Sequence, residues 1–285
     1  MEKRREKNKI SLKSFAKINL FLDVLAKRPD GYHDIRTIFS EISLYDTLNF
    51  ILTKNNEVKI LTNKYFVSSK NNLIYRVALF IKEKYNVQDS VEVFLEKNIP
   101  ISAGLGGGSS NAATTIRALS ELWDLNLSNS DMHEIAAEFG SDINFFLAGG
   151  SALGEGRGEK IIELDDIFLE NIFLVKPSFG ISSSEAYKSV QLDVNNNNWQ
   201  ELIRTTDPGF CFNKLQKGIS KIYPEISEII EFLENNGAEK AILSGSGSTV
   251  IGFCPDKKSA DWLTNYYSDK GYWNYITKTK RRSTK

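Results

Sequence analysis

Cysteine is scarce in this chain, and long apolar runs are missing from it. The 285 residues include 2 cysteines, Cys211 and Cys254, and neither lies in a C-x-x-C pair or beside a histidine. This pattern argues against a zinc site or a disulfide framework and favours reduced thiols in a cytosolic protein. No apolar segment approaches the roughly 20 residues of a membrane-spanning helix, and the charged first residues lack the apolar core of a signal peptide. We therefore expect a cytoplasmic protein with no membrane partner.

An excess of either charge is also lacking, since 36 basic residues balance 36 acidic residues. Bulk electrostatics therefore offers no argument for a nucleic-acid partner. The basic ends, Lys3-Arg4-Arg5 and Lys280-Arg281-Arg282, are expected to be solvated tails. A composition of 41% hydrophobic and 25% charged residues is typical of a globular protein, and the length allows one large or two ordinary domains.

A glycine-rich segment that leads into an amphipathic pattern is the strongest feature that is present. Four glycines within five residues permit positive φ and close approach of a ligand to the backbone. The segment is predicted to bind phosphate through loop N–H groups at a helix N-terminus. Ser109, Ser110 or Asn111 is expected to cap that helix, whose apolar face recurs at Ala112, Ile116, Leu119 and Trp123. The predicted ATP-binding residues are Pro100, Ile101, Ser102, Ala103, Gly104, Leu105, Gly106, Gly107, Gly108, Ser109 and Ser110.

This segment differs from the common nucleotide-binding motifs. No lysine follows Gly108, as the G-x-x-x-x-G-K-[ST] loop requires, and the glycine spacing does not give G-x-G-x-x-G. The preceding Val91–Lys97 segment is charged at Glu92, Glu96 and Lys97, so we expect a half-exposed strand. The H-R-D motif of protein kinases is also missing.

Periodicity predicts an α+β protein. The first half is rich in strands and carries helices over Leu73–Tyr85 and Asp131–Phe139. Its predicted strands are Ile10–Phe15, Ile18–Leu25, Tyr32–Leu44, Thr47–Leu52, Glu57–Leu61 and Val91–Leu95. The second half reads strand–helix–strand–strand–helix–strand, which indicates a split βαβ, ferredoxin-like domain. A boundary near Leu164-Asp165-Asp166 divides the chain into domains 1–165 and 166–285.

Four further segments invite a chemical interpretation. Lys17 stands between two apolar runs, so its ammonium either reaches solvent or meets anions at a site. Asp142 lies between a helix end and an apolar run, where it is either a helix cap or a site residue. A strong turn precedes the long strand at Tyr32 and His33, and Gly245-Ser246-Gly247 forms a second glycine loop. His133 is expected to be a solvated helix residue.

Together these segments resemble the GHMP small-molecule kinase superfamily over nearly the whole chain. The Lys17 strand, the Gly104–Ser110 loop and the Gly245–Gly247 loop look like its three motifs. Ala16–Leu20, Lys27–His33 and Ser43–Asp46 are similar to the members that phosphorylate a cytidine-diphosphate-linked methylerythritol on the route to isoprenoid precursors. The resemblance implies a ribosomal-S5-domain-2-like N-terminal domain and a ferredoxin-like C-terminal domain.

The resemblance also implies ATP-dependent phosphorylation of the C2 hydroxyl of that substrate, with Mg²⁺ expected and its ligands open. Lys17 and Asp142 match the catalytic residues, and Asn19 matches a polar substrate contact. Tyr32 and His33 match the cytosine-recognition segment, and Tyr187 matches a second aromatic, so that Tyr32-His33 and Tyr187 are expected to sandwich the pyrimidine. Lys17 would lie between Asp142 and the moving phosphoryl group and keep Asp142 ionised.

Three other interpretations stay open on sequence grounds. One is another GHMP kinase, such as a homoserine kinase, which would share the glycine loop without the Arg28–His33 turn. A catalytically silent ligand sensor of the same fold is disfavoured by Lys17 and Asp142. An RNA-binding protein is disfavoured by the zero net charge. The expected partner is a small cytidine diphosphate-linked molecule, and the chain is expected to be a monomer or a homodimer.

Overall fold

A computed structural model describes residues 4–6, 8–54, 57–63, 71–192 and 196–282 of the chain. Contacts divide the chain into two compact units that are each built from several segments. Unit 1 comprises Met1–Ala16, Leu44–Pro100 and Gly106–Ala148, and unit 2 comprises Lys17–Ser43, Ile101–Leu105 and Gly149–Lys285. The division into sequence-contiguous domains at residues 165 and 166 stays a prediction.

The chain alternates between strand-rich and helical segments, with twelve strands and nine α-helices among the described residues. The strands are β1 (Arg4–Glu6), β2 (Lys9–Lys27), β3 (His33–Thr53), β4 (Lys59–Thr62), β5 (Ser90–Glu96), β6 (Ser151–Gly156), β7 (Lys160–Glu163), β8 (Ile172–Lys176), β9 (Phe212–Asn213), β10 (Lys240–Leu243), β11 (Val250–Phe253) and β12 (Trp273–Thr277). The α-helices are α1 (Leu73–Lys84), α2 (Gly107–Leu122), α3 (Asn129–Phe139), α4 (Ile143–Ala148), α5 (Ser183–Lys188), α6 (Trp199–Thr205), α7 (Leu215–Ile222), α8 (Pro224–Asn235) and α9 (Lys257–Asp269). In the part of the chain that the structure describes, every helix is too short or too polar to cross a membrane.

β2 and β3 are each one long strand, where the sequence predicted two. The predicted interruptions at Ala16-Lys17 and at Tyr45-Asp46 contain no glycine or proline, so nothing there stops the extended backbone. Along β2 the burial alternates as far as Ala16 and is continuous from there to Val24. Polar side chains in this second part lie inside the protein and therefore need polar partners.

Unit 1 packs helices on a small set of strands. Thr47–Thr53 of β3 pairs antiparallel with β5, and β4 pairs parallel with β5. Helix α2 packs against α1 and α4. Ile116 and Leu119 on the predicted apolar face of α2 are fully buried, which confirms the amphipathic helix. This packing fixes the position of the α2 N-terminus, where the glycine-rich segment ends.

Unit 2 contains the predicted ferredoxin-like arrangement. Its four-stranded sheet has the order β10-β11-β8-β12, and all neighbours are antiparallel. The first and third strands in chain order, β8 and β11, are therefore central, as in a split βαβ motif. Helices α8 and α9 pack on this sheet and bury Ile226, Leu233 and Leu263. The ferredoxin-like prediction is confirmed.

Unit 2 also contains parts of β2 and β3, which pair there with the shorter strands β9 and β6. Ile35–Ser40 of β3 pairs antiparallel with β6, and β6 pairs with β7. The short strand β9 runs parallel to β2 at Phe21 and Leu22. β9 therefore lies beside the buried part of β2, within a few residues of Lys17 and Asn19 along that strand.

The prediction of a solvated C-terminal tail is wrong for Lys280 and Arg282, whereas Arg281 is exposed as predicted. The Lys280 backbone N–H donates to Glu41 O at 2.8 Å. The Arg282 side chain donates to Glu163 Oε2 at 2.7 Å and to Ser151 O at 2.9 Å. Lys280 and Arg282, which were predicted to be solvated, thus hydrogen-bond carboxylates and carbonyls of unit 2. At the other end, Arg4 and Arg5 lie in β1, paired with β2, and Lys3 lies outside the described residues.

Both cysteines are buried free thiols. Burial raises the pKa of Cys254 to about 11. Burial also raises the pKa of Cys211. Neither side chain is therefore a thiolate near neutral pH.

Candidate active site

The first glycine loop ends in a helix that begins earlier than the sequence predicts. α2 starts at Gly107, and its N-cap is Gly106 with φ of 68° and no side-chain cap. The expected cap at Ser109, Ser110 or Asn111 is wrong, because these residues lie inside the first turn. The Ser110 hydroxyl instead meets the Ser14 hydroxyl at 2.7 Å in the interior. A glycine N-cap leaves the first N–H groups of the helix without a side-chain acceptor, which suits an anion.

A buried ion pair lies under this helix N-terminus in unit 1. Lys97 Nζ donates to Asp46 Oδ2 and to Ile99 O, both at 2.6 Å. Asn111 Nδ2 donates to Asp46 Oδ2 at 2.9 Å. A Cβ added to Gly107 would lie 3.0 Å from Lys97 Nζ, so this network is in contact with the loop end. The ion pair is almost fully buried. The strand before it is half-exposed as predicted, because Val93 and Leu95 are buried while Phe94 and Glu96 are exposed.

The second glycine loop joins β10 to β11 in unit 2. Gly245 and Gly247 have φ of 55° and 84°, values that only glycine adopts at little cost. Asn213 is buried, and its Nδ2 donates to Leu243 O at 2.7 Å and to Gly245 O at 2.8 Å. Its Oδ1 accepts the Leu215 N–H at 2.9 Å. Asn213 therefore holds the base of this loop, a role that the sequence did not reveal.

Residues 101–105 of the first loop belong to unit 2 and lie against the second loop. The Ser244 hydroxyl donates to Gly104 O at 3.2 Å, and the Thr249 N–H donates to Ala103 O at 3.3 Å. Gly104 has φ of 74°, and a Cβ there would overlap the Ser244 carbonyl oxygen. Gly104 is thus required both by conformation and by the close approach of the two loops.

Lys17, in β2, lies beside both glycine loops. Its backbone N–H donates to Leu105 O at 3.0 Å, which ties the strand to the first loop. Its Nζ donates to Asn19 Oδ1 at 2.6 Å, and Lys17 is only 4% exposed. A Cβ added to Gly245 would lie 3.3 Å from Lys17 Nζ and 3.0 Å from Asn19 Oδ1. The structure therefore brings together Lys17, Asn19, Gly104 and Gly245.

Thr37 completes this group and was missed by the sequence analysis. Asn19 Nδ2 donates to Thr37 Oγ1 at 2.7 Å, and the Thr37 hydroxyl donates to Phe21 O at 2.7 Å. Both side chains are buried. No sequence signal marks Thr37, because it meets its partner Asn19 only in the folded protein, where β2 and β3 lie side by side.

Asp142 lies in unit 1, in the turn that precedes α4. It is half-buried, and Ile143, which follows it, is fully buried. The Ile143 N–H donates to Gly140 O at 3.3 Å, so the turn is held by its own backbone. The expected approach of Lys17 to Asp142 joins residues of different units and stays a prediction.

His133 departs from its prediction as a solvated residue. Its ring is half-buried, and Nδ1 lies 3.0 Å from Asn144 Oδ1. This contact links α3 to α4, the helix that follows Asp142.

The aromatic residues expected at the cytosine separate into a pair and a single ring. His33 and Tyr187 stack with ring centroids 5.4 Å apart and an interplanar angle of 20°. Burial lowers the pKa of His33 from its ordinary value of 6.5, and the charge of Lys27 lowers it further. Tyr32 is 56% exposed, and the Arg157 guanidinium lies 4.8 Å above its ring. The sandwich formed by Tyr32 and Tyr187 stays a prediction.

The turn that carries Tyr32 is held by charge and backbone contacts. The Tyr32 N–H donates to Asp30 Oδ1 at 3.1 Å, and this bond is the main reason that the pKa of Asp30 is lowered. Arg28 pairs with Asp30 and with Asp34 at 3.1 and 2.8 Å. Gly31 has φ of 85°, as the turn requires. The Arg28–His33 string is therefore a structural unit that sets the start of β3.

Two family models match the chain. The GHMP kinases N terminal domain matches residues 72–150, and the GHMP kinases C terminal domain matches residues 193–272. The first match contains the glycine-rich segment and Asp142, and the second contains Asn213 and the Gly245–Gly247 loop. Lys17, Asn19, Thr37 and His33 precede both matches.

Relatives of known name cover almost the whole chain. The 4-diphosphocytidyl-2-C-methyl-D-erythritol kinase of Thermodesulfovibrio yellowstonii is 40% identical over 283 residues, or 95% of this chain and 98% of the relative. A crystal structure of 4-(cytidine 5'-diphospho)-2C-methyl-D-erythritol kinase matches with 27% identity and a TM-score of 0.79, over 95% of this chain and 99% of that one. The homoserine kinase of Cytophaga hutchinsonii matches with a TM-score of 0.72 over 98% of this chain and 96% of that one, but at 14% identity it shows the fold alone.

Proposed function

The chain belongs to the 4-diphosphocytidyl-2-C-methyl-D-erythritol kinases of the GHMP kinase family, and on that premise we propose which of its residues carry out phosphoryl transfer. Members of this family are ATP-dependent small-molecule kinases. The reaction transfers the terminal phosphoryl group of ATP to the C2 hydroxyl of 4-diphosphocytidyl-2-C-methyl-D-erythritol. ATP is expected as its Mg²⁺ complex, in which the metal neutralises phosphate charge.

The observation that carries the assignment is the position of Lys17. Its buried ammonium lies beside both glycine loops, and this position supports a role for Lys17 in binding the phosphate chain. Asn19 Oδ1 accepts one hydrogen bond from this ammonium, which has three hydrogens in all. Phosphoryl transfer depends mainly on positioning and on charge stabilisation, and Lys17 would supply both to the oxygens of the moving group.

The first glycine loop would bind the phosphates through its backbone. Residues Pro100 to Ser110 include the N-cap Gly106, and the α2 N-terminus carries N–H groups without side-chain acceptors. The helix dipole favours negative charge at this end. Gly104 and Gly245 admit no side chain without overlap or close contact, so glycine at these positions lets the two loops and Lys17 pack closely together.

Asp142 would act as the base that orients the C2 hydroxyl and accepts its proton. A carboxylate is suited to this step because the hydroxyl becomes acidic only as its bond to phosphorus forms. Lys17 would keep Asp142 ionised through its positive charge. Asn19 would contact the substrate or orient Lys17. Its Oδ1 accepts a hydrogen bond from Lys17 Nζ, which supports the orienting role.

His33 and Tyr187 would recognise the cytosine. Their rings stack face to face, and the centroid distance of 5.4 Å is shorter than the roughly 7 Å that a base inserted between them would require. The pyrimidine would therefore stack on an outer face of this pair, with Tyr32 as the second aromatic. A largely neutral His33 can both donate and accept a hydrogen bond at the base edge.

The assignment is tested by ADP release with three alcohols. We expect turnover with 4-diphosphocytidyl-2-C-methyl-D-erythritol and none above background with homoserine or mevalonate. Homoserine turnover at a comparable kcat/KM would contradict the substrate assignment.

Lys17→Ala tests the mechanism separately. We expect kcat to fall far more than the affinity for ATP, because the lysine charge matters most as the phosphoryl group moves. Lys257→Ala is the control, since Lys257 is exposed and pairs with Asp261 within one helix. A change in the Kd of ATP alone would make Lys17 a ground-state phosphate ligand.

A further inference from the structure

A chain of buried hydrogen bonds ends at Lys17, and it can run in only one direction. Phe21 O is a carbonyl and can only accept, so the Thr37 hydroxyl must donate its single hydrogen there. Thr37 Oγ1 can then act only as an acceptor toward Asn19, and it therefore requires the amide nitrogen Nδ2.

The orientation of the Asn19 amide follows from this constraint. Because Nδ2 is directed at Thr37, Oδ1 is directed at Lys17 Nζ, 2.6 Å away. A flipped amide would place two donors, Nδ2 and the ammonium, against each other and would leave Thr37 Oγ1 facing Oδ1. Asn19 is 3% exposed and Thr37 is 0% exposed, so water does not substitute for either partner.

We propose that Thr37 is a positioning residue for phosphoryl transfer, which acts by fixing the Asn19 amide and through it the ammonium of Lys17. The proposal rests on the proposed function of Lys17. The Thr37 hydroxyl hydrogen-bonds Asn19 Nδ2 and the Phe21 carbonyl, so its effect on Lys17 passes through Asn19.

The surroundings of Thr37 make the necessary substitutions feasible. Thr37 pairs with Gly154 of β6, and a Cβ on Gly154 would lie 3.0 Å from the Thr37 methyl carbon. Valine has nearly the volume of threonine, so Thr37→Val demands no extra space. It removes the hydroxyl that Asn19 Nδ2 and Phe21 O use as a hydrogen-bond partner. Thr37→Ser keeps the hydroxyl and removes only the methyl group that packs on Gly154.

We expect Thr37→Val to lower kcat about 10- to 100-fold, as small misplacements of catalytic groups do, with the Kd of ATP unchanged. Thr37→Ser should restore most of kcat. Thr279→Val is the matched control, because Thr279 is also buried in unit 2 and bonds the backbone of Leu169. Equal kcat for Thr37→Val and Thr279→Val, each measured on folded protein, would overturn the proposal.

A double-mutant cycle with Asn19→Ala separates positioning from structure. If Thr37 acts through Asn19, Thr37→Val causes no further loss of kcat once Asn19 is alanine. Additive losses of kcat would show that Thr37 acts by another route and would reject the proposal. A purely structural Thr37 would lower the melting temperature in both backgrounds and leave kcat unchanged.

Failure of the inference is distinguishable from failure of the proposed function. If Lys17→Ala and Asn19→Ala both retain wild-type kcat, the assignment of Lys17 is wrong, and Thr37 loses its role with it. If both variants lose kcat but Thr37→Val does not, only the role of Thr37 is rejected.

Discussion

Asp142 is the residue on which the chemical step depends in the proposed mechanism. Asp142→Asn keeps the shape of the side chain but removes its capacity to accept a proton. We expect kcat to fall ~10²–10⁴-fold, the usual contribution of a general base, while ATP binding measured by calorimetry is unchanged. Asp261→Asn, at an exposed helix position, serves as control. Near wild-type kcat for Asp142→Asn would remove Asp142 from the mechanism.

Tyr187 is expected to contribute to substrate affinity and not to ATP affinity. It packs on the core of unit 2 and presents its ring to His33, so its position is preformed. Loss of stacking on a base costs ~1–3 kcal/mol, and Tyr187→Ala should therefore raise KM for the cytidine substrate about 5- to 150-fold. Tyr187→Phe keeps the ring and should stay near wild type. Equal kcat/KM for the cytidine and uridine forms would contradict recognition of the base edge by His33.

If His33 binds the cytosine as proposed, the substrate affinity is expected to depend on pH. Burial and the charge of Lys27 lower its pKa below 6.5, so the ring is neutral at pH 7 and gains a proton only as the pH falls through the lowered value. A protonated ring can donate but cannot accept a hydrogen bond. We expect KM for the cytidine substrate to rise in acid below pH 6.5 and this rise to be absent in His33→Asn. The same acid rise in His33→Asn would assign the titration to another group.

At the scale of elements, three glycines of the first loop are expected to tolerate alanine very differently. A Cβ at Gly104 meets backbone of the second loop, one at Gly107 meets Ile99 and Lys97 within 3.0 Å, and one at Gly108 has nothing closer than 3.8 Å. Overpacking typically costs ~1–3 kcal/mol, and Gly104→Ala adds a strained positive φ. The free energy of unfolding from urea titrations should therefore fall most for Gly104→Ala, less for Gly107→Ala and least for Gly108→Ala. A large loss for Gly108→Ala would contradict the packing around the α2 N-terminus.

The same elements show what the sequence could predict. The helix α2 and the ferredoxin-like order were predictable, because apolar periodicity is a local signal. The first residue of α2 was not predictable. Serine and asparagine favour helix capping, but Ser110 and Asn111 hydrogen-bond Ser14 and Asp46 in the interior instead. Lys97 and Asp46 are 51 residues apart in sequence, so their pairing is a tertiary contact that no local pattern reveals.

At the scale of the whole molecule, unit 2 collects its site residues from distant segments. Lys17 and Asn19 come from β2, Thr37 from β3, Gly104 from the first loop and Gly245 from the second. The sequence marked four of these residues in three separate motifs, but only the pairing of strands and the contact of the loops places them together. The orientation of the Asn19 amide, on which the position of Lys17 depends, could be read only from that assembly.

The C-terminal segment is expected to stabilise this assembly. The Arg282 backbone N–H donates to Asp166 Oδ2, and its side chain bonds Glu163 and the carbonyls of Gly149 and Ser151. Hydrogen bonds to charged groups contribute about 1.5–3 kcal/mol each, but Glu163 is largely exposed and its pair with Arg282 counts for less.

Arg282→Ala should accordingly lower the free energy of unfolding by about 1–3 kcal/mol. Arg281→Ala is the matched control, because the Arg281 side chain is exposed and its guanidinium lies over the Phe168 ring, 5.5 Å from the ring centroid. Truncation after Thr279 removes both side chains together with the Lys280 backbone bond to Glu41, so it should cost more than either substitution. If the truncated chain is as stable as the full chain in urea titrations, this segment does not stabilise the fold, and it behaves as the solvated tail that its composition suggested.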